Sequence, residues 1–117
     1  MNGIMRCGAA IFLFSAALAL ANLPSPARSD DALSPSAQRG QVLVRTNCSR
    51  CHSVDKITDS PLKIAPPFRT LHERYPVESL QESLAEGIVT GHPTMPEFSF
   101  DPGQVADIIA YLKWLEK

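Results

Sequence analysis

Several things are scarce in this sequence, and each shortage excludes something. Charge of one sign is scarce: 11 lysines and arginines stand against 12 aspartates and glutamates, for a formal net charge of −1. Nucleic-acid binding needs a concentrated basic face, and Lys56, Lys63, Lys113 and Lys117 are scattered along the chain. The longest apolar run, Gly8 to Ala21, carries no charge but is too short to span a bilayer comfortably. No stretch alternates apolar and polar residues as a half-buried strand would, and no internal repeat or low-complexity segment is present. Hydrophobic residues make up 44% of the chain and charged residues 20%, which suits one soluble domain and excludes two large ones.

The apolar run follows Arg6 and leads to two small-residue sites, Ala19-Leu20-Ala21 and Ser25-Pro26-Ala27. A basic start, an apolar stretch and a small-residue end form the order of a secretory signal. Residues 1–27 are therefore expected to be a cleavable signal, cut after Ala21 or Ala27, with residues 28–33 as a mobile leader and 34–117 as the folded domain. The expected location is the periplasm, with no stable membrane insertion once the signal is removed. The mature chain has about 90 residues and a net charge of about −2. An apolar core is thin at that length, and small exported domains usually add disulfides, a metal or a bound cofactor.

The cysteines decide among these. Of the three, Cys7 falls within the signal and lacks the surroundings of a lipoprotein site, which leaves Cys48 and Cys51. A bridge between cysteines so close in sequence closes too small a loop to stabilise much. His52 comes next, so Cys48-Ser49-Arg50-Cys51-His52 spells C-x-x-C-H, the attachment signature of a c-type haem. Cysteines three apart on a helical turn share a face, where both thiols can add to the two vinyl groups of one porphyrin edge. His52 then points at the iron. A thioredoxin-like reading needs a preceding strand in a βαβ context. A zinc reading draws on Cys48, Cys51 and two of His52, His72 and His92, but no second C-x-x-C or H-x-x-x-H is present.

Ser34 can cap a helix whose first position is Pro35, expected to run to about Asn47. Gly40 in its interior costs about 1 kcal/mol relative to alanine, which suggests close approach by another backbone or a large ring. Ser53 to Pro67 reads as a loop along the haem edge, anchored by Ile57, Leu62 and Ile64, with a helical turn following at Phe68 to Glu73. From Pro76, Val77, Leu80, Leu84 and Ile88 recur at helical intervals, and Gly87 stands where a stop is expected. Gly91 to Phe98 is too rich in proline and glycine for a helix or central strand. Asp101, Pro102 and Gln104 form a capping-box start to a last helix. That helix carries Val105, Ile108, Ile109, Leu112 and Leu115 on one broad face, with Tyr111 and Trp114 beside it. The expected fold class is all-α, with three to five short helices wrapped around one covalently bound haem.

A C-x-x-C-H after a helix, a methionine in a late proline-rich loop and a final amphipathic helix resemble a class I monohaem cytochrome c of bacteria over nearly all of residues 35–117. The resemblance implies the cytochrome c fold, with Gly40 packed on Tyr111 where the first and last helices cross. It also implies that the Pro66 carbonyl accepts the Nδ1 proton of His52, in Ala65-Pro66-Pro67-Phe68 where the family has Gly-Pro-x-Leu. Met95, in a Met-Pro context and the sole methionine of the mature chain, is the implied second axial ligand. His92, three residues earlier, is its rival. The apolar haem wall and core are expected to include Val42, Val44, Ile64, Phe68, Leu80, Leu84, Phe98, Ile108 and Leu112.

The implied function is one-electron cycling of a single haem c between ferric and ferrous iron, in a monomeric carrier that is not an enzyme. Its partners are redox proteins, and the basic docking face of mitochondrial relatives is not evident. A haem-based gas sensor in which Met95 is displaced, or a cytochrome subunit of a periplasmic dehydrogenase or oxidase, are the alternative readings. Peroxidase chemistry needs distal acid/base groups, for which His92 is the one candidate. His72 reads as a surface residue and Arg50 as either merely exposed or an aid to partner docking, while Tyr75 and Trp114 read as buried aromatic packing with a polar tip, with hydrogen bonding to haem propionates as the alternative.

Overall fold

Ser34 starts the first helix: its hydroxyl accepts the Ala37 N–H at 3.1 Å, and Pro35 fills the first helical position, where no N–H is required. The computed structural model describes residues 32–87 and 94–117. The signal expected over 1–27, leader residues 28–31, and Ile88, Gly91, His92 and Pro93 lie outside the described residues. Helix α1 spans Pro35–Cys48, one residue longer than expected. At its end the Asn47 side chain donates to the Leu43 carbonyl and the Ser49 side chain to that of Arg45, at 2.7 and 2.6 Å, and the second of these serves one of the last four carbonyls that the helix itself leaves unpaired.

The last helix, Pro102–Leu115, opens with the expected capping box. The Asp101 carboxylate accepts the Gln104 N–H at 2.9 Å, and the Gln104 amide oxygen accepts the Asp101 N–H at 3.1 Å. Between the two long helices lie a 3-10 turn at Phe68–Glu73, a second at Val77–Ser79, and the short helix α2, Leu80–Glu86. The last helix is therefore α3. The helix expected from Pro76 thus begins as a 3-10 turn and becomes α-helical at Leu80. It ends as expected at Gly87, whose φ of 75° is the left-handed cap that glycine adopts without strain. No strand occurs among the described residues.

Helices α1 and α3 form the main packing pair. Ala37, Gly40 and Val44 lie on the buried face of α1, and the place of Gly40 there has a steric cause. A Cβ added at Gly40 would fall on the Asp107 carbonyl and 3.0 Å from the Tyr111 Cβ, so the backbones cross without room for any side chain. Beside the crossing, Arg39 grips Asp107 with two hydrogen bonds of 2.7 Å, and Ser36 adds a third at 2.5 Å. These bonds, first among them that from Arg39, hold the Asp107 carboxyl below the ordinary carboxylate range. Val54, Leu71 and Val77 from the connecting segments complete the core with Ile108, Ile109, Leu112 and Leu115.

Two sequence expectations are corrected. Val42 is not part of the core: it is 64% exposed, because it sits two residues from both Gly40 and Val44 and so faces the opposite side of the helix. Ile57 is not an anchor: it is 86% exposed at the tip of a tight turn in which the Asp55 carboxylate accepts the N–H groups of Ile57 and Thr58.

Candidate functional site

The last turn of α1 delivers Cys48, and the chain tightens directly after it. Both Cys51 and His52 donate their backbone N–H to the Cys48 carbonyl, at 3.2 and 3.0 Å. Three chemically distinctive side chains thereby emerge from one turn. Cys48 and Cys51 are half-buried and unpaired with each other. Burial among apolar neighbours pushes the Cys48 thiol up to about 11. The Nδ1 of His52 lies 2.8 Å from the Pro66 carbonyl, an acceptor that fixes Nδ1 as the protonated nitrogen and leaves the Nε2 lone pair free for a metal. The Phe68 ring packs against the imidazole with centroids 4.8 Å apart and planes inclined at 40°.

Two adjoining cavities open from this turn. The first, of about 470 Å³, is lined by Cys48, Cys51 and His52, by Leu62, Ile64 and Ala65 of the following loop, and by Met95, Pro96 and Phe98 from the other side. The second, of about 300 Å³, shares Cys48, His52, Met95, Pro96 and Phe98 and runs inward along Val44, Phe68, Leu71, Leu80, Leu84, Ile108 and Leu112. Ile64 is 69% exposed, and with Leu62 it faces the first cavity instead of the core. Thr46, Asn47, Arg50 and Thr94 are the polar residues of the first cavity, and Tyr75 and Ser83 those of the second, alongside the imidazole common to both.

This donor set suits a haem. One wall offers two thiols and an imidazole with a fixed tautomer, another offers a thioether, and the lining between them is aliphatic and aromatic. A soft sulfur beside an oriented imidazole matches iron in a porphyrin better than a hard cation. Among the described residues no cluster of His, Cys, Asp and Glu could hold a bare metal ion, which removes the zinc reading from Cys48, Cys51, His52 and His72. His72 is exposed on the 3-10 turn, as expected for a surface residue. The position of Met95 depends on α2, to which the returning chain is pinned by Phe100 N–H to the Leu84 carbonyl and Ser99 Oγ to the Ala85 carbonyl, both at 2.9 Å.

Sequence reasoning missed the network beneath His52. Ser53 is 2% exposed and donates its N–H to Ser60 Oγ at 2.9 Å, while its carbonyl accepts the Phe68 N–H, also at 2.9 Å. Arg69 reaches the Ser53 hydroxyl at 3.2 Å and the Thr58 carbonyl at 2.5 Å. Asp55 accepts from the N–H groups of Ile57 and Thr58 and from the Thr58 hydroxyl, and these bonds, the last foremost, lower its carboxyl to about 2. The local signal was Asp55 followed three residues later by Thr58, a turn-forming spacing. On the other side of this loop the Tyr111 hydroxyl donates to the Val54 carbonyl at 2.6 Å, and the Lys56 ammonium lies 4.1 Å from the centroid of the Trp114 ring.

Comparison with known proteins places these features in a family. A family model described as Cytochrome c matches residues 37–116. A protein of Synechocystis sp. described as "Cytochrome c-553-like" is 31% identical over 85 residues, covering 72% of this chain and 73% of that protein. No solved structure matches.

Proposed function

The chain belongs to the cytochrome c family, and on that premise we propose that it is an exported electron carrier with His52 and Met95 as the axial ligands of its haem. Membership makes it a monohaem electron-transfer protein with covalently attached haem c, and Cys48 and Cys51 fit the attachment motif. The finer reading rests on one observation above all: Cys48, Cys51, His52 and Met95 line the same cavity, with the outer nitrogen of His52 already committed to Pro66.

The haem, when bound, supplies one-electron exchange between ferric and ferrous iron. The chain supplies its setting. Cys48 and Cys51 tether the porphyrin edge, which prevents loss of the group. The Pro66 carbonyl holds the His52 ring in one orientation and raises the donor strength of Nε2. The Met95 thioether, a soft donor, favours the ferrous state and raises the potential relative to two imidazoles. Pro96 beside it restricts the loop, so the sulfur is held through both oxidation states. Phe68, Leu71, Leu80, Ile108 and Leu112 exclude water from the inner faces.

Residues 1–27 are assigned as a signal that directs the protein to the periplasm, with 28–33 as leader and 34–117 as the haem domain. No helix among the described residues is long and apolar enough to cross a membrane. The proposed role is that of a monomer passing electrons between redox proteins without transforming an organic substrate.

The test is the absorption spectrum of protein made in a host that matures c-type cytochromes, ferric and ferrous, with and without carbon monoxide. Haem bands that survive denaturation, a weak far-red ferric band of methionine ligation and indifference to carbon monoxide are expected. Ready carbon monoxide binding without the far-red band would turn the assignment toward a sensor. Absence of covalent haem would overturn it.

A further inference from the structure

The segment Pro66 to Arg69 touches the residues at and after His52 at four successive points. The Pro66 carbonyl takes the His52 Nδ1 proton, the Phe68 N–H donates to the Ser53 carbonyl, the Phe68 ring packs on the imidazole, and the Arg69 guanidinium donates to the Ser53 hydroxyl. The first and third lie against the ring, and the second holds the backbone of the residue that follows it. The fourth also reaches across to the Thr58 carbonyl and so ties the loop Ser53–Ser60 to the 3-10 turn on which Phe68 stands.

We propose that Arg69 is a positioning residue for the proximal ligand: by clamping Ser53 and Thr58 it holds the His52 Nδ1 proton on the Pro66 carbonyl. The proposal rests on the reading of His52 as the axial ligand and adds the device that keeps its hydrogen bond closed.

Three features favour this role over that of an incidental surface charge. The Arg69 side chain is only 25% exposed, and its nearest carboxylate, Asp59, is fully exposed at 3.9 Å, so an ion pair does not explain its placement. Its Nη1 instead serves two uncharged acceptors, one of them on a residue 2% exposed. Beyond Ser53, the loop has no other hydrogen bond to the turn among those of the described residues. Phe68 N–H on the Ser53 carbonyl and the Tyr111 hydroxyl on the Val54 carbonyl hold only its first two residues, and its other bonds, Ser53 N–H to Ser60 Oγ and the Asp55 turn, close the loop on itself, so Arg69 is what ties Thr58 to the turn. Ser53 adjoins His52 in the chain, so any drift of the loop turns the imidazole relative to Pro66.

A planar guanidinium places several donors in fixed directions, whereas an ammonium on a flexible stem does not. Arg69→Lys therefore keeps the charge and loses the clamp. Ser53→Ala keeps Arg69 and removes one of its two acceptors.

The experiment uses the ferrous holoprotein, which is diamagnetic when the iron is six-coordinate, with ¹⁵N-labelled histidine. It reads the solvent-exchange rate of the His52 Nδ1 proton by nuclear magnetic resonance. Loss of a charge-assisted hydrogen bond corresponds to at least about tenfold faster exchange, expected for both Arg69→Lys and Arg69→Gln. Ser53→Ala is expected to give a smaller acceleration. The control is Ile109→Val, a mild destabilisation in the buried core of α3, expected to leave the rate unchanged.

Unchanged exchange in Arg69→Lys and Ser53→Ala overturns the proposal, and so does an equal acceleration in Ile109→Val, which would mark global loosening. Should Arg69→Gln fail to fold, Arg69→Lys and Ser53→Ala decide the matter. Absence of haem ring-current shifts at His52 in the unaltered protein removes the ligand reading and this proposal together. Normal shifts with unaltered exchange remove only the proposal.

Discussion

Gly40 of α1 lies against the Asp107 carbonyl of α3 so closely that no β-carbon fits between them. The obstructing atoms are backbone, and they cannot rotate away as a side chain would. Gly40→Ala gains about 1 kcal/mol in helix propensity, but the helices must separate to admit the methyl group. Overpacking of this kind costs typically 1–3 kcal/mol and occasionally more, and the rigidity of the contact places this site at the upper end. The expected net loss is about 2 kcal/mol or more, measured by guanidinium denaturation followed by circular dichroism. A loss below about 0.5 kcal/mol would mean that the crossing widens freely.

The acid limb of stability should be set in part by two carboxylates held in place by donors. Asp55 is lowered to about 2 by its turn bonds, and Asp107 is lowered by Arg39 and Ser36. A group whose folded pKa lies below its unfolded value near 4 stabilises the fold at higher pH. That contribution is lost as pH falls through the folded pKa. Thermal stability is therefore expected to be flat from neutrality to about pH 5 with respect to these groups, and to fall between about pH 4 and 2. Asp55→Asn should flatten part of that fall while lowering the neutral-pH plateau. Melting curves taken at half-unit pH steps test this, and identical acid limbs in variant and parent would remove Asp55 from the account.

How much of this was legible in the sequence depended on the range of each interaction. The helix caps could be read because Ser34 with Pro35, and Asp101 with Gln104, satisfy their own helix ends within three residues. Cys48, Cys51 and His52 could be read because their chemistry lies in adjacent positions. Pro66 and Met95 became legible only through resemblance, since nothing near Pro66 says that its carbonyl meets the His52 ring and nothing near Met95 says that it shares a cavity with His52. The clamp on Ser53 escaped because Arg69 acts over 16 and 11 residues of chain, through a loop with no periodic pattern. Val42 and Ile57 were misplaced for a related reason. Apolar character was read as burial, while helix phase and the Asp55 turn direct both outward.

Tyr111 has a polar duty inside the core. It is fully buried, yet its hydroxyl donates to the Val54 carbonyl at 2.6 Å, tying α3 to the loop that follows His52. Tyr111→Phe keeps the ring and its Cβ beside Gly40 and deprives a buried carbonyl of its donor, which costs about 1–3 kcal/mol. Trp114 stacks on Tyr111 with centroids 5.7 Å apart and is the only tryptophan in the chain, so its fluorescence reports the site. The variant is expected to unfold at lower urea concentration with an unchanged slope. An unchanged midpoint would show that the Val54 carbonyl is served equally well without the phenol.

The end of α2 should govern how firmly Met95 is held. Gly87 has φ of 75°, and an alanine there adopts a left-handed conformation at a cost of about 1–2 kcal/mol. Its new Cβ would stand 3.1 Å from the Glu97 carboxylate and 3.4 Å from the Phe98 carbonyl, both within three residues of Met95. The strain therefore bears on the segment that carries the thioether, which Leu84 and Ala85 anchor through Phe100 and Ser99. Gly87→Ala is expected to lose about 1–2 kcal/mol of stability and to bind carbon monoxide in the ferrous state faster than the parent. Gly87→Asn should recover part of both effects, because asparagine tolerates the left-handed region better than alanine. Stopped-flow mixing with carbon monoxide distinguishes the two consequences: a stability loss without faster binding would mean that the hold on Met95 lies elsewhere in its loop.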